Sequence, residues 1–206
     1  MYANRQSSGR QVASTRSHTF DMVAIGASAG GVEVLRELLA ALPGSFAPAV
    51  MIVMHLVPDV PSYLVQTFSY RSALPVIEPD AGERILAGRI HVAPPGYHML
   101  VENDRTVALS TEAAVRHSRP SIDVLFESAA WVYRERLLGI LLSGANDDGV
   151  HGLATVRAMG GLAWVQTPET AASPEMPRAA IERGVVDEVL SPPIMARRLA
   201  RLPAVH

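Results

Sequence analysis

Between residues 22 and 202, short and nearly unbroken apolar runs alternate with longer stretches in which apolar positions recur every three or four residues. That rhythm predicts a parallel β-sheet with helices on both faces, because parallel strands are buried on both sides and read as continuous apolar runs. Met22–Gly26 reads as the first strand, and Val32, Leu35, Leu38, Leu39 and Leu42 follow at helical spacing until Pro43-Gly44 stops them. Ala49–Met54 is a second strand and Pro61–Tyr70 a helix. Residues 75–110 break the rhythm. Val76-Ile77, Ile90–Ala93, His98–Val101 and Val107–Leu109 are short pieces punctuated by Pro and Gly, with Asn103-Asp104 as a turn, and they resemble strands and hairpins more than another βα repeat. The alternation then resumes with a helix at Ser121–Arg134, strand Leu137–Leu142, helix Gly149–Met159, strand Leu162–Val165, helix Pro177–Arg183, strand Val185–Leu190 and helix Ile194–Leu202. The expected fold class is a doubly wound, mainly parallel α/β sheet in three layers with an added antiparallel hairpin.

Composition narrows the chemistry. All 18 basic residues are Arg, and the chain has neither Lys nor Cys. This removes Schiff-base chemistry, a P-loop lysine, thiol catalysis, disulfides and Cys-ligated metals. The basic charge is also uneven. Arg5, Arg10 and Arg16 stand at one end and Arg197, Arg198 and Arg201 at the other, leaving twelve Arg against twenty Asp and Glu, a net of −8, in residues 21–193. With only 5% aromatics, an acidic body is a poor nucleic-acid platform. No apolar run approaches the roughly 18 residues of a membrane span, and the first twenty residues have no signal-peptide apolar region. The expectation is a cytoplasmic chain with a basic arm at 1–20, one domain at 21–202 and a tail at 203–206.

The segment Gly26-Ala27-Ser28-Ala29-Gly30-Gly31 joins the first strand to the first helix and fits G-x-S-x-G, in which a sharp turn exposes a serine hydroxyl beside helix-start amides. The same serine would also serve as an ordinary helix N-cap. A dinucleotide loop fits less well, since the spacing is not G-x-G-x-x-G and the second strand ends in Met54-His55 with no acid for a ribose. His55 at the end of one strand, and Asp147 and Asp148 in the loop after another, fall at the carboxyl edge where open α/β sheets hold ligands. Serine, histidine and aspartate offered by three strand ends to a shared crevice make the set an acyl-transfer enzyme needs. Each alone has a plainer role as a cap or a strand-end polar residue. The other histidines show no metal-ligand spacing, so neither metal nor cofactor is expected.

Together with Ile25-Gly26-Ala27-Ser28, these residues are accompanied by His91-Val92-Ala93-Pro94, Arg119-Pro120-Ser121-Ile122-Asp123, Ser143-Gly144…Asp148-Gly149 and Met176-Pro177-Arg178. In this order the chain resembles the catalytic domain of the chemotaxis receptor protein-glutamate methylesterases (CheB type), from about Asp21 to Leu202. The resemblance implies Ser28 as nucleophile, His55 as base and Asp148 as its orienting acid. It implies an oxyanion site at the amides of Ala29, Gly30 and Ala145, with Arg119, Met176 and Arg178 near the substrate. It also implies demethylation of γ-glutamyl methyl esters on chemoreceptor helices, and in many relatives deamidation of receptor glutamines. A non-catalytic signalling or adaptor module on the same fold is the alternative. Ala29 replaces a frequent Thr, Ala145 a frequent Met, and Glu175 a frequent small residue. Full-length relatives usually carry an N-terminal receiver domain, which twenty residues are too few to hold, so control by a regulator in trans, or a fragment, is expected.

Overall fold

The computed structural model describes residues 19–55 and 63–202. Seven strands form one parallel sheet: β1 (Met22–Ala27), β2 (Ala49–Met54), β3 (Val76–Ile77), β4 (Ile90–Val92), β7 (Leu137–Leu141), β8 (Leu162–Gln166) and β9 (Glu188–Leu190). Their order is β3-β4-β2-β1-β7-β8-β9. The chain winds outward from β1 in one direction and from β7 in the other, so a topological switch point lies between these two strands. Ligand crevices form at such a point.

Alternation along each strand sends side chains to opposite faces. Val23, Ile25, Ile52, Ile140 and Trp164 pack beneath α1 (Gly31–Ala40), α2 (Leu64–Ser69) and α6 (Pro192–Leu199). Met22, Ala24, Met51, Val53, Leu141 and Val165 pack beneath α3 (Ile122–Tyr133), α4 (Val150–Ala158) and α5 (Glu175–Glu182). Each fully buried Leu or Ile of these layers contributes about 1.5–3 kcal/mol by leaving water. This is the expected three-layer architecture.

The middle of the chain divides. β3 and β4 join the main sheet in parallel, whereas β5 (His98–Val101) and β6 (Val107–Ser110) form a separate antiparallel hairpin. Its turn contains Asn103-Asp104 as expected, with Asp104 accepting from the Thr106 amide and hydroxyl and Arg105 in left-handed backbone at φ 63°. Met99 and Val101 bury the hairpin against the α3 layer. β9 is shorter than its apolar run, because the Val185 amide bonds Ala180 O and Val185 and Val186 pack under the helices. The first two residues expected for α2, the tail, and all of the basic arm but Thr19 and Phe20 lie outside the described residues.

Candidate active site

Backbone hydrogen bonds place Ser28 between two neighbouring strand ends. The Ser28 amide donates to Ser143 O at 2.9 Å on the β7 side, and the His55 amide donates to Ala27 O at 3.0 Å on the β2 side. Ala27 pairs with Met54, so Ser28 and His55 are one lateral step apart, about 4.8 Å at the backbone. Continued alternation points both toward the α3 layer.

Gly26 brings that layer close. A Cβ at this position would fall 2.2 Å from Ile122 Cγ2, so only glycine lets the first turn of α3 sit on β1. That turn holds Asp148. Oδ1 accepts from Ser121 Oγ at 2.9 Å and the Asp123 amide at 3.0 Å, while Oδ2 accepts from the Ile122 amide at 2.7 Å and His55 Nε2 at 2.8 Å. Asp148 is fully buried. Burial alone would push its carboxyl up, but the bonds from His55, Ile122 and Asp123 outweigh it and hold the group below the usual carboxylate range. An ionised Asp148 accepts only, so His55 carries its proton on Nε2 and keeps Nδ1 as the basic nitrogen.

Ser28 is half-buried, and its hydroxyl makes no hydrogen bond among the described residues. The hydroxyl beside Nδ1 belongs to Ser118, whose Oγ stands 3.5 Å away, longer than a well-formed bond. A Ser28–His55 side-chain bond is thus not formed here, although the His55–Asp148 bond is.

The helix after Ser28 starts two residues later than a Ser28 cap would place it. Gly30 is the N-cap of α1, at φ 78° with no side-chain cap bond. The left-handed backbone requires glycine, and a Cβ there would also meet Ala172 Cβ at 2.4 Å. This frees Ser28 from capping. The amides of exposed Ala29, Gly30 and Ala145, and of Asn146, donate to no protein acceptor among the described residues. They flank Ser28 from two loops, as unengaged donors ready for an anion.

The remaining expected contacts are distributed. Arg119 is exposed, and its Nη1 is taken by Thr111 O at 2.8 Å and Glu112 O at 3.0 Å. Met176 is fully buried, and its amide donates to Gly144 O at 2.9 Å, so it supports the Gly144 loop from beneath. Arg178 is exposed in a surface groove with Pro168, Glu169 and Ile181.

Arg116 gave no sequence signal, being one arginine in a polar loop. Its Nε donates to Asp123 at 3.0 Å and its Nη1 to Asp147 at 2.8 Å. Asp147 therefore has a partner of its own, one residue from the buried Asp148. Burial, then the neighbouring Asp148 charge, raise the Asp123 pKa against the opposing Gly152 amide and Arg116. Among the described residues no group of three His, Asp or Glu side chains is placed to hold a metal, and no helix is long and apolar enough to cross a membrane.

The family model described as CheB methylesterase matches residues 23–199. A Leptospira interrogans protein provisionally named protein-glutamate methylesterase/protein-glutamine glutaminase is 41% identical over 183 residues, covering 89% of this chain and 95% of that one. The Symbiobacterium thermophilum protein-glutamate methylesterase/protein-glutamine glutaminase is 38% identical over 169 residues, which is 82% of this chain but 47% of that longer one. The crystal structure of the Thermotoga maritima CheB methylesterase catalytic domain superposes with a TM-score of 0.85 at 28% identity, covering 90% of this chain and 100% of that one. By sequence and by fold, the chain belongs to the CheB methylesterase family.

Proposed function

We propose that this chain is a serine hydrolase that converts γ-glutamyl methyl esters on chemoreceptor cytoplasmic helices to glutamate and methanol. Ser28 is the nucleophile, His55 the base and Asp148 the acid that fixes the base. The carrying observation is the His55 ring. Asp148 takes Nε2–H at 2.8 Å from a buried, ionised carboxylate, and Nδ1 is left basic beside the strand end that bears Ser28. When the ester binds, Ser28 Oγ must turn onto Nδ1, a tightening that catalytic hydrogen bonds commonly undergo with substrate. Oγ then attacks the carbonyl as its proton passes to Nδ1, and the Ala29, Gly30 and Ala145 amides receive the oxyanion. Nδ1–H protonates the departing methoxide, and water enters by the same route to release the acyl group. A glutamine side chain fits the same steps with ammonia as leaving group, in line with the glutaminase activity in the relatives' names.

The test is methanol release from a methylated receptor cytoplasmic fragment. Ser28→Ala is expected to lower kcat by about 10,000-fold or more with the fold intact. An unchanged rate would remove Ser28 from the mechanism, and no methanol from the wild type would leave the adaptor reading.

A further inference from the structure

Apart from His55, the donors on Asp148 come from a single turn of helix, so what fixes that turn positions the acid. The Ser121 amide is the N-cap amide of α3, a donor the helix itself cannot satisfy. It donates to Nδ1 of His98 at 3.1 Å, and the other ring nitrogen, Nε2, contacts Ala113 O at 3.1 Å. A carbonyl only accepts and an amide only donates, so the ring is the Nε2–H tautomer with both nitrogens engaged. His98 is 2% exposed and is carried by β5 of the separate hairpin.

A buried histidine usually satisfies both nitrogens simply to avoid the cost of burial. The partners of this one set it apart. Ser121 gives its hydroxyl to Asp148, on the Nε2 side of His55. Ala113 lies in the loop that returns through Ser118, whose hydroxyl stands 3.5 Å from Nδ1 on the other side of the same ring. That loop turns through Arg116 and His117, both at positive φ (47° and 65°), between the reciprocal Val115 and Ser118 backbone bonds. Non-glycine residues persist there only when their surroundings hold them. Arg116 supplies one anchor through Asp123 and Asp147, and His98 supplies the other.

Resting on the triad read above, we infer that His98 is a positioning residue for the base and its acid, a strut spanning the two segments that flank His55. This gives the hairpin a task in catalysis: it delivers one imidazole to the cap of α3. The residue touches no reacting atom and acts through Ser121 and Asp148.

The experiment compares His98→Asn, which keeps an acceptor near Nδ1, with His98→Gln, which keeps a donor near Nε2, and with His98→Ala. Turnover of a methylated receptor fragment, thermal midpoints and the downfield imidazole proton shared by His55 and Asp148 are measured for the whole chain. His98→Gln and His98→Ala are expected to lose kcat on the order of 10- to 100-fold, the scale of a small misplacement. KM should stay within about twofold, and the shared-proton resonance should broaden or move. His98→Asn should restore most of kcat and the resonance even at a thermal midpoint equal to that of His98→Gln. Equal kcat in Asn and Gln variants, or losses that follow thermal midpoint alone, would overturn the inference. Should the variants not fold, nitrogen NMR of the wild type decides, since a proton on His98 Nδ1 overturns it and a bare Nδ1 supports it. If the wild type is inert, the functional reading fails by itself, and the resonance still reports whether His98 orders the His55–Asp148 pair.

Discussion

At the amino ends of β1 and β7, Asp21 pairs with Arg136 and lies 4.0 Å from Arg105, whose guanidinium sits 5.1 Å over the Tyr133 ring. At the carboxyl ends of the same strands, Asp148 has no guanidinium within ion-pair distance among the described residues. Its partners are two amides, a hydroxyl and the His55 ring. Both carboxylates are satisfied, but they are left able to do different things. A guanidinium never gives up its proton, so its charge permanently offsets that of Asp21. Neutral donors and the positive end of α3 keep Asp148 ionised without cancelling its charge. In the proposed mechanism the full negative charge therefore remains for an imidazolium that exists only during the reaction. The basic complement of the chain is wholly Arg, and Arg116 is engaged with Asp123 and Asp147, one residue short of Asp148.

The largest effect expected from this contrast is that of Asp148→Asn. It keeps the shape but replaces one acceptor oxygen with a donor facing His55 or the α3 amides, and the ring loses its enforced tautomer. Ester turnover should fall about 10,000-fold, as in other triads lacking their acid. A kcat within tenfold of wild type would mean that the neutral cradle matters for structure alone.

Much of this carboxyl edge is legible in the sequence. Doubly buried strands announce themselves as apolar runs; Ser28 and His55 fall just beyond one, and Asp148 lies in the loop after another. What is hidden depends on tertiary contact. Ser28 reads equally as nucleophile or cap, and the cap role falls away only when Gly30 is seen to cap α1. Arg119 reads as a free fork for a carboxylate, yet it closes its own loop on two carbonyls. Arg116, which does meet carboxylates, reads as loop filler because Asp123 and Asp147 reach it only in the fold. His98 sits in an apolar hairpin strand, and nothing in its spacing points to Ser121, 23 residues away.

Next in size is Gly26→Ala, which tests whether the close approach of α3 is what builds the cradle. The new methyl would meet Ile122 Cγ2. Overpacking of this kind costs about 1–3 kcal/mol, and displacement of the first α3 turn should reduce kcat by about 10- to 100-fold. Denaturant midpoints and turnover together check it. A stability loss with unchanged kcat would show that the α3 cap need not be held so tightly.

A smaller effect separates the acids by pH. Because the folded pKa of Asp148 is depressed, its stabilising contribution is complete above the ordinary carboxylate value near 3.9 and is lost as pH falls through its own lower value. Asp123 has the opposite sign. Its folded pKa is raised, so taking up a proton as pH falls favours the folded state and offsets part of that loss. Urea midpoints measured from about pH 5 to pH 2 should decline less steeply below about pH 3.9 in Asp148→Asn than in wild type. Parallel curves would place the acid sensitivity elsewhere.

The smallest change is expected at the opposite end of the sheet. Asp21 is partly exposed, and the side chains of Arg136 and Arg105 are 39% and 57% exposed, so solvent screens both pairs. Such pairs contribute about 0–1 kcal/mol. Asp21→Asn should shift the denaturant midpoint by no more than that and leave kcat and KM for ester hydrolysis at their wild-type values. The backbone there holds without the charge: the Asp21 amide donates to Arg136 O and its carbonyl accepts from the Ala49 amide. If instead kcat fell tenfold at unchanged stability, charge at the amino end would be acting on the site along the strands, and the two ends could no longer be treated as independent.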